Sequence, residues 1–250
     1  MTTTLILGDC LEKMKDIGDN TIDIIIADLP YGRLKLEWDI KIDFDLVWEQ
    51  IWRVCKPKAP VFLFGDFKFA VEIYNSQSKY FRYEIVWNKK RSTTHLLSHK
   101  RFGKATEYIL VFYKEQPVYN IEKYHSVKKT REKNQSSCSF WGMCVPVERM
   151  QWTPSLPLNV IECYNIREKK VIKKLTEKPQ EVLKHLLKYF SNEGDTCLDF
   201  VMGSGSCGVA CKELNRNFIG FELNKEYCNM SNKRLQQENL KSFFENEVQQ

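Results

Sequence analysis

The chain of 250 residues has no apolar run near the roughly 18 residues of a membrane span, and stretches such as Ile24–Ala27 are short. A membrane-embedded protein is not expected. The start, Met1-Thr2-Thr3-Thr4-Leu5-Ile6-Leu7-Gly8-Asp9, lacks the basic region and the long apolar region of a secretory signal. A cytoplasmic protein is therefore the expectation. No repeat of fixed period is seen anywhere, and the stretch from about 114 to 174 contains no low-complexity tract. Histidine is scarce, with four in the chain, and the nine cysteines form no Cys-x-x-Cys pair. Cys207 and Cys211 are four apart, but no histidine or second pair completes a zinc set in the sequence. No metal is expected, and the cysteines read as reduced, small hydrophobes.

What is present is a mild basic excess. The formal charge is +6 with a pI near 8.7, which suits a polyanionic partner without proving one. Much of the excess sits in Lys89-Lys90-Arg91, Lys100-Arg101, Lys128–Lys133 and Lys169–Lys174.

Strand-like and helical patterns alternate. Strands are predicted at Leu5–Leu7, Thr21–Ala27, Val61–Gly65, Arg82–Trp87, Glu107–Tyr113, Thr196–Val201 and Asn217–Leu223. Helices are predicted at Cys10–Ile17, Phe44–Cys55, Phe67–Asn75, Thr176–Phe190 with Pro179 inside its first turns, after the glycine turn up to Leu214, and Lys225–Leu240. Such alternation predicts an α/β fold with a mostly parallel sheet and helices on both faces. The stretch from about 115 to 174 is basic, carries several Pro and Trp residues and lacks this period. It reads as a small insertion within one domain spanning 1–250.

Two constellations carry chemistry. In Leu198-Asp199-Phe200-Val201-Met202-Gly203-Ser204-Gly205-Ser206-Cys207-Gly208, a strand runs into a tight turn and a helix start. The G-x-G-x-x-G pattern is weak alone, but Glu222 ends the next strand about 20 residues on, where a ribose diol sits. Glycines admit a ligand to the backbone, and Glu222 offers acceptors to two hydroxyls. A nicotinamide dinucleotide fits these two features as well. The second constellation, Asp28-Leu29-Pro30-Tyr31, closes an apolar strand. Asp28 and the Leu29 carbonyl suit the two protons of an amino group on a planar base, and Tyr31 suits stacking on its ring. The Tyr31 face also favours a nearby sulfonium cation. A helix-capping aspartate with Tyr31 packed on the core explains that peptide equally well.

Taken together and in this order, the motifs resemble the β group of DNA amino-methyltransferases, in which the catalytic tetrapeptide precedes the cofactor half. Gly8-Asp9-Cys10-Leu11, Val86-Trp87-Asn88-Lys89, Glu107–Lys114 and Thr176-Glu177-Lys178-Pro179 extend the similarity over nearly the whole chain. The resemblance implies a Rossmann-like class I methyltransferase fold with a seven-stranded sheet. It implies S-adenosylmethionine as cofactor, held by Asp9, Cys10, Lys178, Asp199, Phe200, Gly203, Ser204, Gly205 and Glu222. Asp28, Leu29, Pro30 and Tyr31 would form the catalytic corner. The implied partner is double-stranded DNA with its target base flipped out, the implied context restriction–modification, and the implied assembly a homodimer. Lys89, Lys90, Arg91, Lys100 and Arg101 are the expected phosphate contacts, and residues 115–174 the expected target-recognition region. Adenine N6 is the expected acceptor, because the tetrapeptide begins with Asp rather than Ser. Cytosine N4 is the alternative, followed by a non-catalytic nucleic-acid-binding protein of the same fold. An enzyme methylating RNA or a protein amide is a further rival, against which the motif order argues. Leu29 stands where the family usually has proline, and Asp199-Phe200-Val201 where it has Asp-Pro-Phe.

Overall fold

Ile24, Ile25, Ile26 and Ala27 are all buried, as a β-branched run covered on both faces requires. The computed structural model describes residues 1–33, 40, 42–97, 99–130, 137–138, 144–145, 149–164 and 177–247. Along the chain come β1 (Thr3–Leu7), α1 (Cys10–Met14), β2 (Ile24–Ala27), α2 (Phe44–Val54), β3 (Val61–Gly65), α3 (Phe67–Ser76), β4 (Phe81–Asn88) and β5 (Thr106–Phe112). Next are α4 (Ile121–Tyr124), β6 (Ser126–Thr130), β7 (Ser137–Cys138), β8 (Cys144–Val145), β9 (Arg149–Thr153) and β10 (Val160–Glu162). The chain continues with α5 (Gln180–Phe190), β11 (Thr196–Asp199), α6 (Ser206–Glu213), β12 (Asn217–Glu222) and α7 (Lys225–Glu247).

The main sheet has the order β1-β12-β11-β2-β3-β5-β4-β10. Neighbours pair in parallel except at β3–β5 and β4–β5, so β5 alone runs against the rest. This is the expected Rossmann-like α/β sheet, with eight strands where seven were expected. The extra strand is β10, three residues beside β4, too short for an alternation signal after Pro154 and Pro157.

Side-chain alternation along the strands explains the two cores. Ile24, Ile26, Phe62 and Phe64 point to one face and pack with Leu183, Leu186, Leu187 and Phe190 of α5 and Ala210 of α6. Ile25, Ala27, Val61 and Leu63 point to the other and meet Met14, Val47, Trp48, Ile51 and Phe69. Each fully buried aliphatic side chain contributes about 1.5–3 kcal/mol of transfer free energy, so both helical layers are anchored by sequence pattern alone.

Pro179 does not lie inside α5. It is the cap residue, extended at φ −61°, ψ 140°, and the helix starts at Gln180. The expected start at Thr176 and the basic run Lys169–Lys174 lie outside the described residues.

A second compact unit spans Tyr119–Leu158, narrower than the 115–174 insertion read from composition. Its β6 and β9 pair antiparallel, as do β7 and β8. His125 is buried in it, with Nδ1 2.8 Å from the Pro154 carbonyl oxygen. Arg131–Lys133 lies outside the described residues. Among the described residues no helix is long and apolar enough to cross a membrane.

Candidate active site

One edge of the sheet collects the chemistry-bearing residues. Asp28, Asp199 and Glu222 stand at the carboxyl ends of β2, β11 and β12, and Gly8 follows β1. Glu107 joins them because β5 is reversed. Its second residue pairs with Trp87, next to the end of β4. Carboxyl ends of strands are where open α/β sheets hold ligands.

The glycine turn and its acid form one hydrogen-bonded unit. Gly203 and Gly205 have φ of +51° and +75°, the left-handed region that glycine alone adopts freely. Gly205 leads directly into α6. Glu222 accepts the Gly203 amide at Oε2 (3.0 Å) and the Asn224 amide at Oε1 (2.7 Å). Those bonds fix the carboxylate and leave one acceptor direction on each oxygen for a diol. Burial raises the Glu222 carboxyl, opposed by these amides. The Gly8 amide donates to the Glu222 carbonyl (2.9 Å), tying the end of β1 to this unit. The Asp9 carboxylate caps α1, accepting from the Leu11 and Glu12 amides at 2.9 and 3.3 Å. The neighbouring Cys10 thiol is pushed up to about 11, first by burial and then by Asp9. Phe200 and Ser204 are buried, and Ser204 Oγ lies 3.1 Å from Ser206 Oγ. Asp199 accepts the Val201 amide at 3.2 Å. Burial lifts its carboxyl to about 8, with Asp28 and Glu222 adding to the rise. A left-handed glycine turn locked to a carboxylate with spare acceptors fits a nucleoside such as S-adenosylmethionine.

At the Asp28–Tyr31 corner Leu29 is buried, and the Tyr31 ring lies 4.6 Å from Phe69 at 34°. Asp28 Oδ2 receives Lys178 Nζ at 2.6 Å, while Oδ1 is out of solvent and has no hydrogen-bond partner among the described residues. Lys178 Nζ also lies 2.8 Å from Glu107 Oε1, and Lys89 Nζ 2.5 Å from Glu107 Oε2. The Tyr31 hydroxyl donates to Glu107 Oε1 at 3.3 Å. Acid and base alternate along Asp28–Lys178–Glu107–Lys89, which lets four charges share a low-dielectric space. Burial alone raises Glu107, but Lys178 and Lys89 outweigh it and hold the carboxyl at about 2. Burial opposes the Lys178 charge, but Asp28 and Glu107 outweigh it and raise that ammonium. Asp28 is raised by burial and by Glu107, against Lys178.

Sequence reasoning missed Glu107. Its one signal is a charged residue opening the apolar run Tyr108–Phe112, and the strand's direction, invisible in sequence, decides which edge it joins. Lys178, expected beside the cofactor, ends on Asp28 and Glu107. Lys89, expected as a phosphate contact, pairs with the buried Glu107 carboxylate, and its side chain is 13% exposed. Lys90 pairs with Glu162 at 2.8 Å, and Arg91 lies over the Tyr164 ring at 5.5 Å. Lys100 and Arg101 are exposed on the β4–β5 loop.

The thiols of Cys197, Cys207 and Cys211 all lie within 4.8 Å of one another, fully buried under the glycine turn's strand and helix. Sequence spacing linked two of them, and β11 brings the third. No fourth metal-ligating side chain joins them among the described residues.

Residues 22–233 match the N6/N4 DNA methylase family model. The Type II methyltransferase M.HpaI of Haemophilus parainfluenzae is 28% identical, covering 95% of this chain and 76% of its own length. The DNA adenine methyltransferase YhdJ of Escherichia coli is 27% identical, covering 93% and 82%. Among solved structures, the M1.HpyAVI–SAM complex superposes with a TM-score of 0.62 at 24% identity, over 94% of this chain and 100% of that one. The family match begins before Asp28 and ends beyond Glu222, so it contains both constellations in their permuted order, and the chain belongs to the N6/N4 DNA methylase family.

Proposed function

We propose that this protein methylates adenine N6 in double-stranded DNA, with S-adenosylmethionine as donor. The observation that carries this reading is the Asp28 carboxylate, one oxygen of which has no partner among the described residues, on the sheet edge where Glu222 and the glycine turn are locked together. The bound cofactor supplies an electrophilic methyl group on a sulfonium. Glu222 accepts from the ribose hydroxyls, and the Gly203–Gly205 turn gives the cofactor its close backbone approach. Asp9, Cys10, Asp199, Phe200 and Ser204 complete that cradle. A base within duplex DNA is out of reach, so the target flips out at a cost of a few kcal/mol. Asp28 and the Leu29 carbonyl then accept its amino hydrogens, and Tyr31 stacks on the ring. Conjugated amino nitrogens are poor nucleophiles, so alignment and stabilisation of positive charge on nitrogen do the catalytic work. No cysteine nucleophile takes part. Lys100 and Arg101, with Lys90 and Arg91, contact phosphates, and residues 115–174, including the compact unit Tyr119–Leu158, read the target sequence. A restriction–modification setting, in keeping with the Type II names of relatives, and a homodimer complete the reading.

Adenine is favoured by Asp at the head of the tetrapeptide and by the name of the Escherichia coli relative. The test is tritiated methyl transfer to DNA with nucleoside analysis. N6-methyladenine is expected. N4-methylcytosine alone would replace the base and keep the site. No transfer by a folded, cofactor-binding protein would leave the non-catalytic alternative.

A further inference from the structure

We propose that Lys178 and Glu107 are positioning residues that hold Asp28 by one oxygen, Oδ2, so that Oδ1 is presented to the target amino group. The inference rests on the methyl-transfer reading. Its basis is an asymmetry: Oδ2 is held at 2.6 Å by Lys178, whereas Oδ1 is buried with no partner among the described residues. A buried acceptor without a donor is costly, and beside a reacting centre a catalytic role is one reason for a native fold to keep it. Lys178 is itself held. Its ammonium spans Asp28 and Glu107, lies 5.1 Å over the Phe64 ring, and has a side chain only 10% exposed. Glu107 is fixed in turn by Lys89 on its other oxygen and by the Tyr31 hydroxyl. The carboxylate is therefore oriented through a chain of charged partners that begins at Lys89, on the far side of β5.

The arrangement also sets Asp28's charge. The groups that act on it are Lys178, Glu107 and Lys89, and Asp28 in turn raises the neighbouring Asp199 carboxyl and Tyr31 phenol. An ionised Asp28 stabilises positive charge on the attacking nitrogen, and a protonated one does not. Lys178 favours the ionised form and Glu107 disfavours it, so removing each shifts Asp28 in opposite senses. An uncharged residue that merely packs beside Asp28 produces no such opposition.

The experiment compares Lys178→Met, Lys178→Arg and Glu107→Gln with the full-length wild type, with Lys178→Gln in reserve should the methionine variant misfold. Two readouts are taken: the pH dependence of kcat, and the titration of the Asp28 carboxyl by carbon-13 NMR of labelled aspartate, assigned with Asp28→Asn. Lys178→Met should lower kcat by about 100-fold, as for a misplaced reacting group, and move the acid limb and the NMR titration to higher pH. Glu107→Gln should move both to lower pH. Lys178→Arg should recover part of kcat with the titration near wild type. Shifts in the same direction, or an unmoved Asp28 in Lys178→Met, would overturn the inference. An inactive wild type with opposite NMR shifts would sink the methyl-transfer reading and leave the positioning of Asp28 intact.

Discussion

Asp28 and Glu222 both end apolar strands, yet their carboxylates are used differently. Glu222 has each oxygen on a backbone amide, while among the described residues Asp28 is held from one side only. Asp28→Ala should abolish most methyl transfer and leave cofactor affinity largely intact. Asp28→Asn keeps an acceptor but not the charge, so its rate should fall between alanine and wild type. A fully active alanine variant in the tritium assay would refute the site. Glu222→Ala should weaken S-adenosylmethionine binding by about 1.5–3 kcal/mol, as for lost hydrogen bonds to a charged group. Isothermal calorimetry showing unchanged affinity would dismiss that role. Asp199 gives a pH signature. Its carboxyl stays protonated in the fold up to about 8, against about 3.9 in an unfolded chain. Between these values the folded state binds the extra proton, so this residue's contribution to stability falls as pH rises through the window and levels off above it. Urea unfolding from pH 5 to 9 should therefore show a steeper decline for wild type than for Asp199→Asn, whose side chain does not titrate. Parallel curves would mean that Asp199 ionises normally.

The β4–β5 loop shows how a charge run in sequence divides once folded. Lys89 turns inward to Glu107, Lys90 leans on Glu162, and Lys100 and Arg101 remain outside. Replacing Lys100 and Arg101 with glutamine should lower the salt slope of DNA binding by about two units, one per phosphate contact. Fluorescence anisotropy across a salt series measures it, and an unchanged slope would make the loop a solvated surface. The same loop shows what the sequence carried. Strand positions were legible wherever β-branched and aromatic residues ran together, as in Val61–Gly65, and the glycine turn was legible through its spacing to Glu222. Ion pairing was not, because it depends on which strand end faces which. Nothing in Thr106–Phe112 states that it runs backwards, and that reversal alone delivers Glu107 to the active edge. Pro179 misled for a local reason: a residue without an N–H is tolerated in a first turn, and here the chain is still extended when it reaches it.

At the scale of the whole molecule, the half that carries Asp28 and Glu107 and the half that carries the glycine turn and Glu222 share one sheet and two cores, and the seam between them is β2 beside β11. The cofactor half hides Cys197, Cys207 and Cys211 under its glycine turn. Burial for Cys197 and Cys211, and the Cys197 contact for Cys207, keep these thiols well above their usual range. They become reactive only when β11 and α6 part, so a slow maleimide reaction located by mass spectrometry times how often that half breathes. S-adenosylmethionine bound to the closed form should slow the reaction by one plus the ratio of its concentration to its Kd, about 100-fold at a hundred times its Kd. Rapid labelling at the same rate with and without cofactor would show that the two events are unlinked. Three buried thiols thus act as an internal clock for the half that carries the glycine turn and Glu222.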